Sequence, residues 1–395
     1  MLLDTPTAAV LLHALHARAR ALGVPPPAAF LGDWRGSAAV IVPSVALRPA
    51  PPARVFSGGA GLVVVGFRSF PDVVAGDPPL LPTAVRGEAT GLLTLGRDGA
   101  WRAWGDAPDP AAVVREYGGG SGDDDEAAPP PRWAAPDRDA HRAAVVDCLE
   151  AIRAGEVYQA CLSTRLDGRL RADALATFLS LARRAPAARS AYLEGPWGAV
   201  LAFSPEEYLV RAGDRVRTSP IKGTLPAHRD PAELLASGKD VAENIMIVDL
   251  ARNDLGRVAE VGSVTVTDLL AVRPAPGVHH LVSTVEARTA VDHDALVSAT
   301  FPPASVTGTP KERARELIAG WEPRSRGLHC GAYGLAVGPD LELAVAIRTL
   351  EAAPDGRVEL GVGGGITIDS RPHDEWDECL HKAAFTWGGG PAPWS

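Results

Sequence analysis

Lysine is nearly missing from this chain of 395 residues: of 39 basic residues only Lys222, Lys239, Lys311 and Lys382 are lysine. Glutamine occurs once, at Gln159, and asparagine twice, at Asn244 and Asn253. The four cysteines, Cys148, Cys161, Cys330 and Cys379, lie far apart with no C-x-x-C spacing, which excludes a disulfide framework and fits a reducing compartment. No apolar run approaches the roughly 20 residues that span a bilayer. Asp4 near the N-terminus, without a cationic stretch, does not read as a signal peptide. A formal charge of −9 provides no positive field for nucleic acid. A cytoplasmic globular protein with neither a nucleic-acid nor a membrane partner is expected.

What is present is turn-rich and apolar: 41 Gly, 35 Pro and 46% hydrophobic residues exclude a disordered chain, a collagen and a coiled coil. Residues 1–115 read as a helix over 8–21 followed by short β-rich stretches, such as 38–43 and 61–67, and carry no chemical motif. Residues 116–135, with the run GGGSGDDDEAAPPP, read as an acidic Gly/Pro-rich linker or loop. In 136–390, Asp137 can cap a helix running to about 154. Strands are expected at 157–166, 199–203, 215–218, 263–266, 332–337, 343–349 and 358–362. Helices are expected at 172–185, 239–254, 309–318 and 373–384. Short Gly/Asp turns between successive strands favour antiparallel pairing and an α+β fold.

The rare lysines fall within patterned segments. Asp240 with Glu243, and Glu375 with Glu378, are spaced i,i+3 on expected helices, so each pair shares a face. Hard oxygen donors on two helices suit Mg²⁺, although an isolated pair of this kind is usually a solvated surface. Lys382 lies on the same face as Glu378 and suits an ion pair with it. Lys222, in T-S-P-I-K-G-T (218–224), is either a desolvated nucleophile or a grip for an anion, and those seven residues support both. Glu206, in S-P-E-E-Y-L, is a general acid or a turn residue. His279 and His280 are adjacent, so on a strand only one can face a pocket. Gly363, Gly364 and Gly365, following a strand, can present backbone N–H groups to an anion. Arg348 reads as a lone arginine in an apolar strand, which needs an anionic partner and suits a carboxylate clamp. Thr307, Gly308 and Lys311 lie in a T-G-T-P-K loop entering a helix.

The order of these segments resembles the chorismate-utilising enzymes over residues 156 to about 385. The matching stretches are E-V-Y-Q-A (156–160), S-P-E-E-Y-L (204–209), P-I-K-G-T (220–224), K-D-V-A-E-N-I-M-I-V-D-L-A-R-N-D-L-G-R-V (239–258), V-H-H-L-V-S-T-V (278–285), F-P-P-A-S-V-T-G-T-P-K (301–311), A-I-R-T (346–349) and G-G-G-I-T-I-D-S-R-P-H-D-E-W-D-E (363–378). The resemblance implies a large antiparallel β-sandwich with flanking helices, the active site in the cleft between the layers, and a catalytic domain over 136–390. Residues 1–115 match poorly and are expected to be a divergent N-terminal subdomain.

Within the family, Lys222 in P-I-K-G-T is the form found in aminodeoxychorismate synthases, where anthranilate and salicylate synthases carry Ala. Gln159 stands where isochorismate and salicylate synthases place a Lys base, and a neutral amide cannot activate water. The implied chemistry is attack of Lys222 on the chorismate ring, with Glu206 protonating the departing hydroxyl, followed by displacement of the lysine by ammonia. Mg²⁺ on Glu243 and Glu378, with Asp240 and Glu375 nearby, is expected to hold the ring carboxylate beside Lys382 and Gly363–Gly365. Arg348 takes the second carboxylate, and Thr307, Gly308, His280 and Gln159 line the pocket. His329 replaces the usual Tyr and is expected to add a pH dependence near neutrality. Pro302–Ala304 replaces a Gly-Gly pair and Thr309 an Ala, which stiffens that loop. No glutaminase or pyridoxal-lyase segment is visible, so a glutamine amidotransferase small subunit is the expected ammonia source, and p-aminobenzoate formation needs another protein. Anthranilate synthase component I, or a silent chorismate-binding subunit, are the alternatives.

Overall fold

Alternating apolar residues build two antiparallel sheets that bury one face against each other, as expected from the short turns between strands. The computed structural model describes residues 7–119, 128–275 and 277–394. In the first sheet the strands run in the order Gly308–Thr309, Gln159–Arg169, Arg357–Ile366, Thr349–Ala352, Gly198–Ser204, Arg189–Gly195, Ala28–Trp34, Ser37–Val42, Gly91–Leu95 and Trp101–Gly105. In the second the order is Ile221–Pro226, Val278–Arg288, Arg215–Thr218, Glu207–Ala212, Asp340–Val345, Ala332–Val337, Val63–Arg68, Ala84–Ala89 and Arg48–Pro49. Thr265–Ala275 lies along the free side of Val278–Arg288.

Phe30, Val40, Val65, Phe67, Val200 and Tyr333 fill the space between the sheets. Helices Ala8–Leu22, Ala174–Arg184 and Pro372–Ala383 cover the outer face of the first sheet. Helices Gly238–Gly256 and His293–Thr300 cover the second. Helices Arg138–Arg153 and Lys311–Trp321 close over the end of the Gln159–Arg169 strand. The helix starts follow their caps: the side chain of Asp137 accepts from Ala140 N–H, and that of Asp173 from Ala176 N–H.

Two expectations of local structure are corrected. Residues 343–349 are not one strand: Asp340–Val345 belongs to the second sheet and Thr349–Ala352 to the first. The chain crosses between layers at Ala346–Arg348, and Arg348 takes φ 49° to make that turn. Apolar composition on both sides hid the crossing. Gly361–Gly365 does not follow a strand but forms its far half, paired with Arg165 through Cys161.

The division at 116–135 is one of sequence, not of packing. Ala28–Trp34 pairs with Arg189–Gly195, and Val63–Arg68 pairs with Ala332–Val337, so residues 1–115 supply strands to both sheets. Residues 120–127 of that segment lie outside the described residues, while Arg132–Trp133 on its far side pairs with Gln159–Arg169. A fragment starting at residue 128 therefore exposes two long sheet edges and half of the inter-sheet core. We expect it to be insoluble or to unfold without cooperativity in a urea titration. A soluble, cooperatively folding fragment would show that residues 136–390 stand alone.

Candidate active site

The site is assembled where backbone without side chains lets other side chains approach. Ile221 pairs with Val282 and Thr224 with His280, so the Ile221–Thr224 segment holds one extra residue, a β-bulge. Gly223 carries the bulge at φ +87°, and a Cβ there would stand 3.1 Å from Asp240 Cβ, so glycine also admits the Gly238–Gly256 helix. The bulge turns Lys222 inward: its side chain is 11% exposed and its Nζ lies 4.0 Å from Glu243 Oε2. A Cβ on Gly365 would stand 2.7 Å from Gln159 Nε2 and 3.2 Å from Lys222 Nζ, so bare backbone brings both side chains to one point. Gln159 is fully buried, and neither polar atom of its amide has a hydrogen-bond partner among the described residues. A buried amide in this state takes a water or ligand partner when one is present.

Glu206 is buried next to the same strand. Burial raises its pKa, against the pull of a hydrogen bond from Ser305, the charge of Lys222 and the backbone N–H of Ile221. A buried carboxyl whose pKa is raised, close to the Lys222 side chain, suits a general acid.

The carboxylates stand on two helices. Burial raises the pKa of Glu243; Lys222 and Lys239 oppose that shift, while Asp240 and Glu378 add to it. A Cβ on Gly364 would lie 3.1 Å from Glu375 Oε2 and 3.3 Å from Glu378 Oε1, so these two oxygens face the same glycine. Burial raises Glu375 despite a bond from Ser370. For Glu378 burial is outweighed by Lys382, whose Nζ lies 2.6 Å from Oε1, and its pKa falls. Lys382 Nζ also donates to Gly363 O at 2.6 Å, so that glycine offers its carbonyl to a lysine. Among the described residues, no three His, Cys, Asp or Glu side chains close into a metal-binding group. The donor chemistry, carboxylate oxygens that raise one another's pKa, nevertheless fits a hard divalent cation.

The remaining expected residues lie on the Val278–Arg288 strand, the Ser305–Thr309 segment and the crossing between sheets. His280 Nδ1 pairs with Thr224 Oγ1 at 2.9 Å, and burial with Arg348 nearby lowers its pKa. Thr307 spends its hydroxyl on Pro303 O at 2.8 Å, and Gly308 pairs with Ala160. Arg348 is not buried in a strand, as its apolar neighbours suggested. It is exposed at the crossing between sheets, with no carboxylate within ion-pair distance among the described residues.

The chorismate binding enzyme family matches residues 120–387. The chain belongs to this family. It is 42% identical over 243 residues to aminodeoxychorismate synthase component 1 of Escherichia coli (strain K12), covering 59% of this chain and 53% of that protein. It is 43% identical over 246 residues to anthranilate synthase component 1 of Streptomyces coelicolor, covering 59% and 48%. The chain thus spans about half the length of the curated relatives it matches. Among solved structures, anthranilate synthase component I from Streptococcus pneumoniae TIGR4 superposes with TM-score 0.73 at 23% identity, covering 92% of this chain and 90% of that one. The menaquinone-specific isochorismate synthase from Escherichia coli superposes with TM-score 0.72 at 19% identity, covering 98% and 91%. These two likenesses show the fold of the chorismate-utilising enzymes. No helix among the described residues is long and apolar enough to cross a membrane.

Several partners of the site were not anticipated. Ser305, bonded to Glu206, sits in F-P-P-A-S-V with nothing in its type to mark it. Lys239, in the first turn of its helix, lies 3.9 Å from Glu243 Oε1, and its rarity was the available signal. A cavity of about 230 Å³ lies behind His329, lined by Ser163, Arg165, Glu322, Arg326 and Gly361 rather than by Lys222 or Glu206.

His329 itself overturns one expectation. Its Nε2 pairs with Ser163 Oγ at 3.0 Å, and its ring lies over bare Gly361. Burial, with Arg326 and Lys382 adding, lowers its pKa to about 3, so the ring is neutral throughout the neutral range. The unfolded chain takes up this proton first as pH falls from 6.5 towards about 3, so His329 costs stability on acidification, by at most about 1.4 kcal/mol per pH unit. In urea titrations at pH 7 and pH 5, His329→Asn should lose about 2 kcal/mol less stability than the wild type between the two. Equal losses would show that the imidazole is not held neutral.

Proposed function

We propose that this chain is the chorismate-aminating component of an aminodeoxychorismate synthase, producing 4-amino-4-deoxychorismate from chorismate and ammonia. The observation that carries the reading is Lys222 turned inward by a bulge beside a buried Glu206 whose pKa burial raises. Lys222, after loss of a proton, attacks the ring while Glu206 delivers its proton to the departing 4-hydroxyl, which leaves as water. Ammonia adds at C4, expels Lys222 and gives up a proton, so chorismate and ammonia become the amine and water. Arg348, a cation without a carboxylate partner among the described residues, takes the enolpyruvyl carboxylate, while Lys382 and Gly363–Gly365 border the ring carboxylate. Gln159, whose amide has no partner among the described residues, faces the pocket, with Thr307, Gly308, His280 and His329 along its wall. Glu243 and Glu378, with Asp240 and Glu375, would hold Mg²⁺, which supplies positive charge for the ring carboxylate.

The ammonia is expected from a glutamine amidotransferase subunit. All four cysteines are buried, and burial pushes the Cys148, Cys330 and Cys379 thiols up to about 12, unlike a glutaminase nucleophile. Anthranilate synthase chemistry is the second reading, favoured by the comparable identity to anthranilate synthase component 1 proteins. Lys222 argues for the first.

Chorismate, Mg²⁺ and ammonium salt should give aminodeoxychorismate; anthranilate as the main product would overturn the assignment. Lys222→Ala should bind chorismate with near wild-type affinity while turnover falls by orders of magnitude. Lys222→Arg should be nearly as inactive, since a guanidinium stays protonated and cannot attack. An active arginine variant would reduce Lys222 to an anion grip.

A further inference from the structure

Three segments of the pocket wall meet at a buried arginine that none of the roles above uses. Arg326 and Glu322 are 2% and 5% exposed and face each other through a two-bond fork, Nε to Oε2 at 2.8 Å and Nη2 to Oε1 at 2.6 Å. Arg326 Nη2 also donates to Cys161 O at 2.6 Å, and Nη1 to Val306 O at 3.1 Å. Glu322 Oε1 accepts the Ser163 N–H at 2.8 Å, and Arg326 O accepts the His329 N–H at 3.1 Å. The guanidinium lies over the Phe70 ring, 4.5 Å from its centroid, which fixes its plane.

Three of these contacts lead to residues of the proposed pocket. Cys161 follows Gln159 on its strand; Val306 lies between Ser305, the partner of Glu206, and Thr307; Ser163 bonds His329. A fixed fork can hold these backbones in one register, and a flexible point charge cannot. We infer that Arg326, held by Glu322, is a positioning residue for the chorismate pocket, setting the Ser305–Thr307 loop against the Gln159 strand and the His329 turn. The inference rests on the chorismate site proposed above.

The test is chorismate binding by calorimetry, read together with the melting temperature. Arg326→Lys keeps the charge against Glu322 but loses the fork. It should keep its melting temperature within a few degrees and bind chorismate about tenfold or more weakly, because small displacements of positioning groups are costly. In a double-mutant cycle with Thr307→Ala the two effects should be less than additive, since both act through one loop. Wild-type affinity in Arg326→Lys, or full additivity with Thr307→Ala, would overturn the inference. Where Arg326→Lys does not fold, Glu322→Gln takes its place in the cycle; failure of both to fold would mark the pair as structural and overturn it equally. A wild-type protein that binds no chorismate would instead remove the functional reading on which the inference stands.

Discussion

Steric emptiness at a few glycines is the constraint on which the site depends. Side chains on four separate elements reach one region because the backbone between them carries no Cβ. A methyl at Gly365 would stand 2.7 Å from Gln159 Nε2, and one at Gly364 would stand 3.1 Å from Glu375 Oε2. At Gly223 the same emptiness serves twice, admitting the Gly238–Gly256 helix and permitting the positive φ of the bulge. Glu206 is buried near Lys222, and that burial raises its pKa.

The two-sheet architecture sets two groups of charged side chains apart along the chain's fold. Around Glu243 and Glu378, carboxylates from two helices face Lys222, Lys239 and Lys382. At the crossing between sheets Arg348 stands without a carboxylate partner among the described residues. In the proposed reading, a substrate with two separated carboxylates matches that distribution, one carboxylate near a cation held by the acids and the other at Arg348.

Much of this was legible in the sequence because it is written in local chemistry. Asp137 and Asp173 mark helix starts as N-caps do, and the i,i+3 carboxylates lie on helix faces as their spacing requires. The four lysines stood out against an arginine-rich background, and three of them lie beside the carboxylates of the site. What was not legible depends on long-range packing. The exchange of sheets at Arg348 looked like a continuous apolar strand, because residues on both sides face a core. The neutrality of His329 comes from its enclosure, which residue type does not reveal. Arg326, one arginine among 35, is distinguished only by the carbonyls it reaches.

The central claim is that Lys222 bonds covalently to the ring with loss of the 4-hydroxyl. The most direct measurement is the mass of the protein after acid quenching during turnover of chorismate with limiting ammonia, followed by peptide mapping. The account predicts a population heavier by chorismate less one water, with the added mass on the peptide containing Lys222, and a decline in that population when ammonia is supplied in excess. Steady turnover with unmodified protein throughout, or an adduct on another residue, would contradict it.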